Sequence, residues 1–180
     1  MYVIAGSLKG IRLRTQAEPD IRPTSQKVKE ALFNILMEEI QESLFLDLFA
    51  GFGTIGIEAL SRGARHAIFM EKSRKALALL RENLKNAGLS GRSQILEGDA
   101  TRSIARYEGP PFGIIYMDPP YHFLSHEKVL QALVEKNMVA PGGVIIVEHY
   151  HKQAVSSPEP SLICTRREKY GQTLLSFFRA

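Results

Sequence analysis

From residue 43 onward the chain alternates short apolar runs with longer stretches in which apolar residues recur every three or four positions. The runs SLFLDLFA (43–50), HAIFME (66–71), SQILEG (93–98), GIIYMD (113–118) and GVIIVEH (143–149) have the length and composition of strands. Between them the spacing predicts helices around 55–62, 73–87, 101–107 and 124–137. Strand and helix in regular alternation predict an α/β fold with a doubly wound, mostly parallel sheet.

The flanks read differently. MYVIAGSLKGIRLRT at the start reads as two short strands around SLKG, with Gly10 available for the turn, a hairpin. After it, Val28, Leu32, Ile35, Leu36 and Ile40 recur at helical spacing, and Thr24 or Ser25 can cap a helix that runs to about Ile40. Lys27, Lys29, Glu30, Glu38 and Glu39 fall on its opposite face. Near the C-terminus, SLICTRREKYGQTLLSFFR offers two β-like runs joined by EKYGQT, a second hairpin. SSPEPS (156–161) is a local loop.

The 180 residues, 44% of them hydrophobic, suffice for one domain with a substantial core. The longest apolar runs fall far short of the ~20 residues that span a bilayer, and the N-terminus lacks a signal-peptide pattern, so a cytoplasmic protein without membrane contact is expected. Cys164 is the single cysteine, which leaves no internal disulfide and suits a reducing compartment. His122, His126, His149 and His151 show no zinc-site spacing, and no metal is expected. Ser61, Ser73 and Ser90 lack the strand-turn-helix elbow of a hydrolase nucleophile.

Charge is unevenly placed. Lys9, Arg12, Arg14, Arg22, Lys27 and Lys29 stand against only Glu18 and Asp20 in the first 29 residues, so the whole formal net charge of +4 resides there. Such a window suits phosphate contacts, and a solvated basic face is the alternative.

In an open α/β sheet, ligands bind outside the carboxyl ends of the strands, so the residues ending each run carry the candidate chemistry. The first run ends in DLFAGFGTIG, where Gly51, Gly53 and Gly56 match G-x-G-x-x-G between a strand and a helix. The second ends at Glu71, where an acid can accept hydrogen bonds from ribose hydroxyls. These features indicate a bound nucleoside, and NAD and S-adenosylmethionine sites share them. Asp47 would repel a dinucleotide pyrophosphate and suits the cationic amino-acid end of S-adenosylmethionine. The third run leads into GDA, where Asp99 and the Ala100 amide could meet an adenine; a helix N-cap is the alternative for Asp99, and a surface position for Glu71.

DPPY (118–121) ends the fourth run. Proline fixes its own φ and biases the residue before it, so Asp118 and Pro119 should be stiff. Pro119 and Pro120 lack amide hydrogens, which leaves the Pro119 carbonyl to act as an acceptor beside the Asp118 carboxylate. Two acceptors suit an exocyclic base amine, and Tyr121 would stack on the base. A flipped or single-stranded base is implied.

With VIAGSLKGIRL, IRPTSQKVKEALFNIL, DLFAGFGTIGIEALSRGA, EKSRKALALLRENL, DPPY and KYGQTLLSFF, the chain resembles the RsmD family over nearly its whole length. These are bacterial methyltransferases that modify the N2 amine of guanine 966 in 16S ribosomal RNA. The resemblance implies a Rossmann-like, class I S-adenosylmethionine-dependent methyltransferase: a single domain over 1–180, a seven-stranded sheet with an antiparallel last strand, and an N-terminal β-hairpin extension over 1–22. It implies that Asp47, Gly51 and Gly53 line the methionine portion of S-adenosylmethionine, Glu71 the ribose, and Asp99 with Ala100 the adenine. Asp118, Pro119, Pro120 and Tyr121 would hold the guanine, with Arg22 and Thr24 bordering the pocket. Lys9, Arg12 and Arg14 would contact RNA phosphates. The implied partner is 16S ribosomal RNA within the small subunit or an assembly intermediate, met by a monomer. Phe52 departs from the small residue expected between the two glycines, and Tyr121 stands where phenylalanine is more usual.

Three other readings compete. DPPY also serves adenine-N6 DNA methyltransferases and other amine or amide N-methyltransferases, although 180 residues leave no room for a separate recognition domain. GFGTIG alone would fit a nicotinamide oxidoreductase. A cofactor-binding RNA assembly factor without catalysis is the third.

Overall fold

The apolar runs become the strands of one sheet in the computed structural model, which describes residues 1–16, 25–120, 123, 125–158 and 160–180. These strands are β1 (Leu44–Asp47), β2 (His66–Glu71), β3 (Ser93–Glu97), β4 (Phe112–Met117), β5 (Val139–Tyr150), β6 (Ile163–Tyr170) and β7 (Thr173–Arg179). Their order is β3-β2-β1-β4-β5-β7-β6. Pairings among β1 to β5 are parallel, and β7 runs antiparallel to both β5 and β6.

The helices are α1 (Gln26–Ile35), α2 (Thr54–Ser61), α3 (Arg74–Asn86), α4 (Ala100–Arg106) and α5 (His126–Glu135). They cover both faces, which is why the central strands read as continuous apolar runs. Phe45, Ile114, Tyr116, Val144 and Ile146 face α1, α2 and α3. Their alternating neighbours Leu46, Ile115, Met117, Ile145 and Val147 face α4 and α5. Strand order reverses between β1 and β4, and the cleft opens at that switch point. Among the described residues no helix is long and apolar enough to cross a membrane.

Two expectations need correction. The helix expected to reach Ile40 ends at Ile35. Leu36 and Ile40 still enter the core, but from successive turns, and Glu42 at φ 56° swings the chain into β1. Ser25 caps α1 as expected, accepting from the Val28 amide at 3.2 Å.

The N-terminal segment folds back on itself but forms one antiparallel bridge, Tyr2 to Arg12, in place of two strands. The Val3, Gly10 and Leu13 amides donate across the segment, but the Ile4 and Ala5 amides donate to the two Glu58 carboxylate oxygens at 2.8 and 3.0 Å, and the Ser7 amide to the Ser61 carbonyl at 2.8 Å. Val3 and Leu13 anchor the segment in the α1-side core, each contributing about 1.5–3 kcal/mol by burial. The remainder of the expected 1–22 extension, 17–22, lies outside the described residues. At the other end the second hairpin forms as expected, with Gly171 at φ 63° in the turn between Tyr170 and Thr173.

Candidate functional site

A cavity of about 440 Å³ lies over the carboxyl ends of β1 to β5. Asp47, Gly51, Glu71, Asp99 and Ala100 line one side of it, and Asp118, Pro119 and Pro120 line the other. Residues from the carboxyl ends of five strands therefore meet in one space, as expected of an open α/β sheet.

The glycine loop takes its shape from its composition. Gly51 and Gly53 have φ of 53° and 79°, left-handed backbone that side chains rarely adopt. Gly56 lies in α2 against β2, where an added Cβ would sit 2.3 Å from the Phe69 ring. The Phe52 side chain is buried, and its carbonyl accepts from Asn83 Nδ2 at 3.0 Å, which ties the loop to α3.

Asp47 is buried beneath this loop, and its Oδ2 accepts from the Gly56 amide at 2.9 Å. Burial pushes its carboxyl up to about 7, with the Glu71 charge adding to the rise and the Gly56 hydrogen bond opposing it. Such a group ionises readily once a cation arrives, so it fits an ammonium and disfavours a phosphate.

Glu71 does more than the sequence suggested. Its Oε2 accepts from the Gly51 amide at 2.7 Å, and its Oε1 from the Lys72 and Ser73 amides at 2.8 and 2.7 Å. A carboxylate oxygen accepts about two hydrogen bonds. Among the described residues Oε1 is thus filled by amides, and Oε2 keeps room for one hydroxyl. Glu71 is first the clamp that sets the glycine loop. Asp99 caps α4, its Oδ1 accepting from the Thr101 amide at 3.0 Å, and it also lines the cavity. The cap and the ligand-facing position coexist.

Asp118 follows directly on β4 and is half-buried, with Pro119 buried behind it. The Phe123 amide donates to the Pro120 carbonyl at 2.8 Å and closes the turn. Gln153 Nε2 donates to the Phe123 carbonyl at 2.8 Å, tying the turn to the chain beyond β5. Tyr121, Arg22 and Thr24 lie outside the described residues.

The structure adds groups that the sequence reading passed over. Tyr116, Glu148, His149 and Gln153 line the same end of the cavity, and the Tyr116 hydroxyl donates to Glu148 Oε2. The signal was present, because Glu148 lies near the end of the fifth apolar run, where the reasoning applied to the first four would have found it. His126 and His149 are buried. His149 is held between the Tyr150 carbonyl and the Ser176 hydroxyl at 3.1 and 2.9 Å. Burial and the neighbouring His149 bring the His126 imidazole down to about 4, so it is neutral at physiological pH.

Lys9 and Arg12 are exposed on the folded-back N-terminal segment, and Arg14 pairs with Glu82 at 2.8 Å. None of the three lines the cavity. Lys29, counted in the same basic window, is fully buried against Glu58 and offers no charge to a partner.

The family model described as conserved hypothetical protein 95 matches residues 1–179. The Bacillus subtilis protein YlbH is 37% identical over 181 residues, covering 99% of this chain and 98% of its own. The ribosomal RNA small subunit methyltransferase D of Haemophilus influenzae is 34% identical over 159 residues, covering 87% and 82%. The solved structure of the Escherichia coli protein yhhF superposes with a TM-score of 0.86 at 29% identity, over 99% of this chain and 97% of that one.

Proposed function

The chain belongs to the RsmD family, and from that premise we propose that it transfers a methyl group from S-adenosylmethionine to the N2 amine of guanine 966 in 16S ribosomal RNA. The observation that carries the reading is the entry of Asp118 into the same cavity as the glycine loop and Glu71. The cofactor's sulfonium supplies an electrophilic methyl group. Asp47 would hold its ammonium, the remaining site on Glu71 Oε2 a ribose hydroxyl, and Asp99 with the Ala100 amide its adenine.

The acceptor amine has two hydrogens and a lone pair conjugated with the ring. The Asp118 carboxylate and the Pro119 carbonyl would hold both hydrogens, favouring a more tetrahedral nitrogen whose lone pair is aimed at the methyl carbon. Most of the rate then comes from positioning and electrostatics. Asp118 need not remove a proton early, because the nitrogen becomes strongly acidic as the N–C bond forms and the S–C bond breaks to release S-adenosylhomocysteine; the proton would then pass to the Asp118 carboxylate. Tyr121 would stack on the base, with Arg22 and Thr24 beside it, while Lys9, Arg12 and Arg14 meet phosphates. The protein would act as a cytoplasmic monomer on the small subunit or an assembly intermediate.

The test is to incubate the protein with labelled S-adenosylmethionine and unmodified small subunits, naked 16S RNA or duplex DNA, and to map the modified nucleoside. Label at N2 of one guanine in the small-subunit RNA is expected. Label in DNA, or none in any substrate, would overturn the reading.

A further inference from the structure

The carboxyl end of β5 adds an acceptor that the methyl transfer described above does not use. Met117 and Val147 form the last register pair of β4 and β5, so the next residues, Asp118 just past β4 and Glu148 still within β5, stand on neighbouring parallel chains. Both line the cavity. Alternation along β5 puts Glu148 on the same sheet face as Val144 and Ile146. Tyr116, on that face of β4 and almost fully buried, donates its hydroxyl to Glu148 Oε2. A packed phenol thus fixes the direction of the carboxylate.

The cavity therefore offers a row of oxygens: the Asp118 carboxylate and Pro119 carbonyl for an amine, and the Glu148 carboxylate beside them. Among the amine-bearing bases, guanine alone matches such a row, because its amine adjoins N1–H. Adenine and cytosine place a ring-nitrogen lone pair next to the amine, which would face the carboxylate lone pairs. We propose that Glu148, held by Tyr116, accepts the guanine N1–H and makes the cavity selective for guanine. This rests on the methyl-transfer reading and supplies the base recognition that reading lacks.

The experiment compares RNA bearing guanine at the target position with RNA bearing 2-aminopurine there. The analogue keeps the amine and replaces N1–H with a lone pair. Wild-type protein is expected to favour guanine by about 100-fold or more in kcat/KM, because the analogue sets a ring-nitrogen lone pair against the Glu148 carboxylate where guanine offers a donor. In Glu148→Gln the side-chain amide can donate to the analogue's N1, so the preference should shrink to within about fivefold, mainly through loss on guanine. The change between the two proteins isolates N1, since loss of O6 is common to both. Cofactor affinity, expected to be unchanged, reports that the variant is folded.

A preference equal to the wild-type value in folded Glu148→Gln overturns the assignment. If that variant does not fold, Tyr116→Phe serves in its place: it leaves the carboxylate unclamped and should lower the preference at least threefold, and an unchanged ratio overturns the proposal. Wild-type protein that methylates no guanine RNA would remove the reaction itself, a failure distinct from an unchanged ratio.

Discussion

The Lys29 ammonium lies 3.0 Å from a Glu58 carboxylate oxygen, with both side chains fully buried. Burial pulls the Lys29 ammonium below its usual range, although Glu58 opposes this. Burial pushes the Glu58 carboxyl up, and the Ile4 amide, Lys29 and Arg62 together outweigh it, leaving it below the usual carboxylate range. Glu58 thereby joins three parts of the chain: α1 through Lys29, the N-terminal segment through the Ile4 and Ala5 amides, and α2, which carries it. Lys29→Met should destabilise the protein by about 3–5 kcal/mol, because it removes one of the two cations paired with a buried carboxylate. Denaturant unfolding measures this, and a loss under about 1 kcal/mol would mean that the other donors satisfy Glu58 alone.

The same carboxyl predicts acid sensitivity. Its folded pKa lies below its unfolded one, so the stability it contributes is present above about 4.5 and disappears as the pH falls through the folded value. Glu58→Gln should be less stable than wild type at pH 7 and should lose less on further acidification to pH 3. Parallel stability curves for the two proteins would contradict the linkage.

Asp118→Ala should lower methyl transfer by at least about 10³-fold while cofactor affinity changes less than about threefold, since in the proposed reaction the carboxylate serves the acceptor amine. Single-turnover transfer and equilibrium binding of S-adenosylmethionine separate the two effects. Near-normal turnover would take Asp118 out of the chemistry.

In the proposed site Asp47 would give cofactor binding a pH dependence. With its carboxyl near 7 in the free protein and a cation favouring the ionised form, binding should release a proton, and affinity should fall about tenfold from pH 8 to pH 6. Calorimetry in buffers of different ionisation enthalpy detects that proton. Asp47→Asn should flatten the profile, and an unchanged slope in that variant would assign the proton to another group.

RNA binding tests the basic segment, but deleting residues 1–14 would also remove Val3 and Leu13 from the core and two amides from Glu58. Charge reversal is the cleaner change. Lys9→Glu with Arg12→Glu should weaken RNA binding and reduce the salt slope by roughly two counterions, without altering thermal stability. Arg14, engaged with Glu82, should matter less. Equal slopes would show that the segment is a solvated surface only.

Where local pattern and tertiary structure agree, the sequence was legible: β2 coincides with its apolar run, and Gly51, Glu71, Asp99 and Asp118 all reach one cavity. What eluded the sequence depends on partners far along the chain. Lys29 falls on the polar face by helical spacing, yet its partner lies 29 residues later in α2. The N-terminal strands shrink to a bridge because α2 captures their amides. The role proposed for Glu148 depends on a register between β4 and β5 that no single run encodes.

Glu71 holds the Gly51 amide across the mouth of the cleft with protein groups alone. That hydrogen bond should hold the loop to one shape, like a mould already set. Nucleoside capture should then resemble a key entering a lock, with little reshaping of the wall on arrival or on departure.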